Sequence, residues 1–111
     1  MDKLLDEAYK YIADNGNKLA DVCREFKKNI DAENAKIYAR FAHDDINIVQ
    51  ARKEFGCSAE GPMEETYILT VEYKFLRDDD KVIWPKIAVE GDSLLHALQT
   101  TEEMVRAIRE S

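Results

Sequence analysis

The stretch KIYARFAHDDINIVQAR, Lys36 to Arg52, decides the fold, because its two halves fit more than one architecture. In the first half Ile37, Ala39 and Phe41 alternate with Lys36, Tyr38 and Arg40, the period of a half-buried strand. The second half, INIVQAR, is rich in β-branched residues suited to a pleated surface. With His43, Asp44 and Asp45 between them, the two halves read as a β-hairpin. The rival is a third and fourth helix, with Asp44 or Asp45 as a cap and Phe55-Gly56 as a stop. The hairpin is the preferred reading.

Downstream, residues 66–90 form the clearest strand pair. Tyr67, Leu69, Val71, Tyr73 and Phe75 make one apolar face, and Ile68, Thr70, Glu72, Lys74 and Leu76 make a mixed one. Because a slip of one residue exchanges the faces, parity fixes the register. With Leu76 opposite Val82, Phe75 meets Ile83, Val71 meets Ile87 and Leu69 meets Val89. The mixed face then sets Glu72 against Lys86 and Lys74 against Trp84, both favourable pairs. A shift by one would drive Lys86 onto the apolar face, so the loop is of odd length. Its tip is Asp78, Asp79 and Asp80, where aspartate tolerates turn conformations. A calcium loop would need alternating ligands, a glycine at the bend and a distal glutamate, so no metal is expected here. Pro85 has no amide hydrogen to give a ladder, which predicts an edge strand or a bulge.

The chain then enters a C-terminal helix at Gly91-Asp92-Ser93, with Asp92 or Ser93 as its cap. Leu94, Ala97, Leu98, Thr101, Val105 and Ile108 form its buried stripe, with Met104 at the margin. The capping box at Thr100–Glu103 offers a break, but the stripe stays in phase across it, which predicts one helix. Upstream, Leu4, Leu5, Ala8, Tyr11 and Ile12 recur at helical spacing, with Asn15-Gly16 as a stop. Asn17 then caps a second helix with the stripe Leu19, Val22, Cys23, Phe26 and Ile30. The two are expected to form a hairpin. Cys23 reads as a core thiol, and Cys57 sits in the loop Gly56–Pro62.

The 111 residues are expected to form a single domain, 1–111. Sixteen basic against 23 acidic residues give −7, and no segment is basic. Nucleic acid and anionic membrane surfaces are therefore poor partners, and a basic protein is a better one. No apolar run is long enough for a membrane span and no signal peptide is read, so a cytoplasmic location is expected. Little chemistry converges. His43 beside Asp44 and Asp45 could act as an oriented base, and His96 falls on the polar side of the last helix. Phosphate-binding loops, dinucleotide fingerprints and zinc spacings are absent, so no enzyme and no cofactor is expected.

From Lys36 to Arg106 the strands followed by Gly91, Asp92, Ser93, Ala97 and Leu98 resemble a family of small uncharacterised bacterial proteins. That resemblance covers about two-thirds of the chain and leaves the N-terminal helices outside. It implies a fold and no function. The expected architecture is α+β: an N-terminal helical hairpin, a four-stranded antiparallel meander and a C-terminal helix packed on the sheet. The mixed face of the hairpin, with Ile68, Leu76, Val82, Trp84 and Ala88, is more apolar than a solvated face needs. Either the N-terminal helices cover it or it binds a partner. On the second reading Trp84, Leu76, Ile68 and Val82 make the contact, and Asp78, Asp79 and Asp80 steer it. The leading expectation is a non-catalytic acidic module, such as an immunity or inhibitor protein, phage anti-defence included, that masks a basic partner. The alternative is a homodimeric chaperone or adaptor, and the third reading is a small enzyme using His43.

Overall fold

The computed structural model describes residues 3–20, 32–56 and 64–110. Helix α1 (Lys3–Ala20) precedes α2 (Ala32–His43), followed by strands β1 (Ile46–Gly56) and β2 (Glu64–Tyr73). A short ribbon of β3 (Phe75–Leu76) and β4 (Val82–Ile83) leads to β5 (Lys86–Gly91) and helix α3 (Leu94–Glu110). The class is α+β and every strand pairing among the described residues is antiparallel.

The expected four-stranded meander does not form. Its strands are arranged as a three-stranded sheet in the order β1-β2-β5 and a separate β3-β4 ribbon. The first expected strand, at Lys36–Phe41, is part of α2. Tyr38 explains why: a strand would turn it away from Ile37, Ala39 and Phe41, yet all four are buried. Helix α2 packs against α1, β1 and α3, so residues around most of its circumference enter the core. The second half of the stretch is the strand expected, and Asp45 makes the junction. It takes φ 55°, a left-handed residue that ends α2, just after the Asp44 amide has bonded the Arg40 carbonyl at 2.8 Å.

The N-terminal expectation is corrected as well. Helix α1 runs through Asn15-Gly16 to Ala20, so Asn15-Gly16 is no stop and Asn17 no cap. Asn15 is buried and its Nδ2 donates to the Tyr11 carbonyl at 3.1 Å, a bond within the helix. Among the described residues α1 packs against α2, Ala32–His43. The stripe Val22, Cys23, Phe26 and Ile30 and the loop carrying Cys57 lie outside the described residues.

The helices cover one face of the sheet. Ile46, Ile48, Leu69, Val71 and Tyr73 meet Ala8, Tyr11, Ile37, Phe41, Leu98 and Val105 in one core. The register on β2 is the one parity predicts: Leu69 faces Val89, Val71 faces Ile87 and Glu72 faces Lys86. Helix α3 is unbroken across Thr100–Glu103; Thr101 Oγ1 donates to the Ala97 carbonyl at 2.7 Å. Ser93 caps it, its Oγ accepting the His96 amide at 3.0 Å. No helix among the described residues is long and apolar enough to cross a membrane.

The outer edge of β1 is sealed over its first half. The Tyr11 hydroxyl donates to the Ile46 carbonyl and accepts the Ile48 amide, both at 3.1 Å. Lys18 Nζ donates to the Ile48 carbonyl at 2.8 Å. A bulge between Ile48 and Gln50 then displaces the strand. Bulges and covered backbone are the usual protections of an edge.

Candidate functional site

The β3–β4 ribbon is built by a local turn. The Asp80 amide donates to the Arg77 carbonyl at 3.0 Å and the Arg77 amide to the Lys81 carbonyl at 2.9 Å. Asp80 itself adopts φ 64°. This is a three-residue loop, a type I turn closed by a left-handed residue, and it has the odd length that parity requires. Phe75 faces Ile83 and Leu76 faces Val82.

The base of the ribbon is pinned on both sides. The Lys74 amide donates to the Asp45 carbonyl at 3.0 Å, which extends the β1–β2 ladder into the turn after α2. The Lys74 carbonyl accepts Arg109 Nε and Nη2 at 3.2 and 2.8 Å. The Arg109 guanidinium also lies 5.8 Å from the centre of the Tyr73 ring. On the inner side Phe75 packs against the core and meets Tyr73 edge-on.

The other side of the ribbon is open. Leu76, Val82 and Trp84 are 63%, 48% and 42% exposed. Leu76 and Val82 are cross-strand partners, and Trp84 follows two residues beyond Val82 on the same face. These three form one apolar stripe with the aspartate turn at its end. Ile68 is not part of it. It lies in the main sheet between Arg52 and Glu90 and is only 8% exposed. The expected pairing of Lys74 with Trp84 belongs to neither ladder: the main sheet ends at Glu72–Lys86, the ribbon begins at Phe75–Ile83, and Trp84 and Pro85 lie between β4 and β5.

The three aspartates have different surroundings. Asp79 Oδ2 is 3.4 Å from Arg77 Nη2, and its Oδ1 accepts the Lys81 amide at 3.3 Å. Asp78 lies beside a groove of about 600 Å³ with Asp44, Asp45, Phe75 and Leu76. Among the described residues no three His, Cys, Asp or Glu side chains are placed to hold a metal ion.

His43 occupies a second setting. Its Nε2 lies 2.6 Å from Glu7 Oε2, at a cleft of about 370 Å³ between α1 and the end of α2. Lys10, Asp14 and Asn47 also line that cleft. A carboxylate can orient an imidazole in this way, but no Ser, Thr or Cys among the described residues lines the cleft to serve as a nucleophile. The sequence places Asp44 and Asp45 next to His43, whereas the carboxylate that meets the ring belongs to Glu7. Nothing in the spacing pointed to it, because the contact depends on how α1 packs on α2. His96 lies on the exposed side of α3, with its Nδ1 accepting the Asp92 amide at 3.4 Å.

Fold and site together describe a small α+β protein with a helix-covered sheet and a projecting apolar arm. No family model, curated protein or solved structure matches the chain.

Proposed function

We propose that this protein is a non-catalytic, acidic protein-binding module that uses the β3–β4 ribbon to dock on a basic partner. The observation that carries the proposal is the exposed stripe Leu76, Val82 and Trp84 on a ribbon anchored at both sides of its base. Apolar side chains held out on a fixed support lose little conformational freedom on binding, and aromatic anchors of this kind commonly dominate an interface. The net charge of −7 favours approach to a basic surface and disfavours nucleic acid. An immunity or inhibitor protein, phage anti-defence included, is the concrete form of this reading, acting in the cytoplasm.

The test is affinity capture by the wild type and by a Leu76→Ser, Val82→Ser double variant. A basic protein retained by the wild type at low salt, and lost from a variant with an unchanged unfolding midpoint, supports the proposal. Equal retention by both overturns it.

The 2.6 Å contact between His43 and Glu7 favours a second reading, a small enzyme using His43. It requires that His43→Gln abolish a turnover while leaving capture of a basic partner intact.

A further inference from the structure

The two edges of the sheet are treated differently. On β1 the Ile46 carbonyl and both the amide and the carbonyl of Ile48 are satisfied by Tyr11 and Lys18. On β5 the position of the outward groups follows from one bond. The Tyr73 amide donates to the Pro85 carbonyl at 3.1 Å, so residue 85 points its polar groups toward β2. Antiparallel pairs alternate, which turns Ile87, Val89 and Gly91 inward as well and leaves Lys86, Ala88 and Glu90 facing out. The amides and carbonyls of these three find no partner among the described residues, and all three are exposed. Pro85 does not blunt this edge, since its missing hydrogen would have pointed at β2.

We infer that β5 pairs with β5 of a second copy about a two-fold axis at Ala88, joining two three-stranded sheets into one. Ala88 then faces Ala88 of the second copy, and Lys86 faces Glu90 twice over. These are the very residues whose backbone groups point outward, so each pair exchanges two backbone hydrogen bonds. Hydrogen bonding and charge therefore select the same register. On the helix-covered face Ile87 meets Val89, which continues the apolar layer from one copy into the next. Centring on Ile87 or Val89 instead breaks both Lys–Glu pairs.

The unsealed half of β1 fails the same test. Its outward residues after the bulge are Ala51, Lys53 and Phe55, and a symmetric pairing centred on them sets Lys53 against itself. Lys53 is moreover committed to Glu65, 3.2 Å away. A strand pair alone is small against the roughly 1,000 Å² a specific interface needs. Helix α3 packs over β2 and β5, so the same axis brings α3 alongside its own copy and enlarges the contact.

Sedimentation equilibrium on the wild type, Lys86→Glu and Glu90→Lys tests this directly. The wild type should dimerise, and each variant should dimerise about tenfold or more weakly, because two like-charged pairs replace two opposite ones. An equimolar mixture of the variants should recover the dimer. One chain then presents carboxylates at positions 86 and 90, the other presents ammonium groups at both, and every cross-strand pair is again of opposite charge. A folding defect would not be rescued by mixing. Amide exchange should show Ala88 protected in the dimer and fast in the variants. A monomeric wild type at the concentrations NMR requires, dimers indifferent to both substitutions, or a mixture no tighter than its components would each overturn the inference. So would a monomer with a protected Ala88 amide, which would mean that another segment of the same chain occupies the edge.

Discussion

Gly91 lies so close to Ala97 that a Cβ at residue 91 would stand 2.6 Å from the Ala97 backbone nitrogen and 3.0 Å from its Cα. The end of β5 and the first turn of α3 thus touch backbone to backbone, and no flexible side chain is there to give way. Gly91→Ala should push α3 off the sheet and cost about 1–3 kcal/mol, as overpacking does. Gly56→Ala is the control. Among the described residues its Cβ would meet the Glu64 carbonyl at 3.9 Å, an ordinary contact, so its unfolding midpoint in urea should stay close to that of the wild type.

The same contact explains the sequence pattern at this turn. Gly91 allows the approach, Ser93 caps the helix, and Ala97 and Leu98 are fully buried against the sheet. Here every signal is local, and the strands before it carry an alternation that only one register satisfies, so both were legible. The stretch Lys36–Phe41 was not, because α2 is packed on several sides. A helix buried around most of its girth loses the one-sided periodicity that distinguishes it, and Ile37, Ala39 and Phe41 then imitate a strand. Asn15-Gly16 misled for a related reason. It is a local stop signal, overridden where α1 has a core to cover. The apolar stripe Leu76, Val82 and Trp84 could be read from parity alone, whereas the burial of Ile68 and the meeting of His43 with Glu7 depend on tertiary packing.

Tyr11→Phe removes the hydroxyl that serves both Ile46 and Ile48. It should destabilise by about 1–3 kcal/mol, the cost of leaving buried backbone groups unpaired. Burial pushes the Tyr11 phenol well above its ordinary value of 10.0, against a smaller lowering by the Ile48 amide bond. The folded state therefore holds this proton more tightly than the unfolded state. That contribution to stability is complete below about pH 10 and is lost as the pH climbs from there toward the folded value. Urea unfolding from about pH 8 to pH 11 should show a steeper alkaline loss in the wild type than in Tyr11→Phe. Parallel slopes would mean that Tyr11 is not the group responsible.

Arg40 and Glu102 tie α2 to α3 through a two-pronged contact of 2.6 and 3.0 Å. The hydrogen bond to Glu102 is the main reason the guanidinium holds its proton more tightly than usual. The arginine side chain is 45% exposed, so solvent screening keeps the pair modest despite its geometry. A double-mutant cycle with Arg40→Ala and Glu102→Ala should give a coupling of about 0.5–1 kcal/mol that shrinks in high salt. A coupling insensitive to salt would point to packing of the arginine stem rather than to charge.

Trp84 separates folding from binding. At 42% exposure it contributes little to the core, so Trp84→Ala should alter stability by about 1 kcal/mol or less. Binding to the captured basic partner should weaken by about 2 kcal/mol or more, as expected for an aromatic anchor. Calorimetric unfolding and binding titration on one preparation would distinguish the two. A large loss of stability with unaltered affinity would return Trp84 to a structural role.

The aspartate turn should act on the rate of encounter. Asp80 holds a left-handed conformation that asparagine also accepts, and an asparagine at position 79 keeps the oxygen that receives the Lys81 amide. Converting Asp78, Asp79 and Asp80 to Asn together should therefore shift stability by only about 0.5 kcal/mol. Asp80→Val should cost more, since a β-branched residue is strained at φ 64°. The charge, by contrast, changes by three at the tip of an exposed arm. Association with a basic partner should slow at low salt and converge on the wild-type rate as salt screens the field. Dissociation should change little, because the apolar stripe behind the turn is untouched. Stopped-flow association across a salt series measures this. Rates indifferent to both salt and the triple substitution would leave the turn a solvated hairpin tip and place the recognition of charge elsewhere on the molecule.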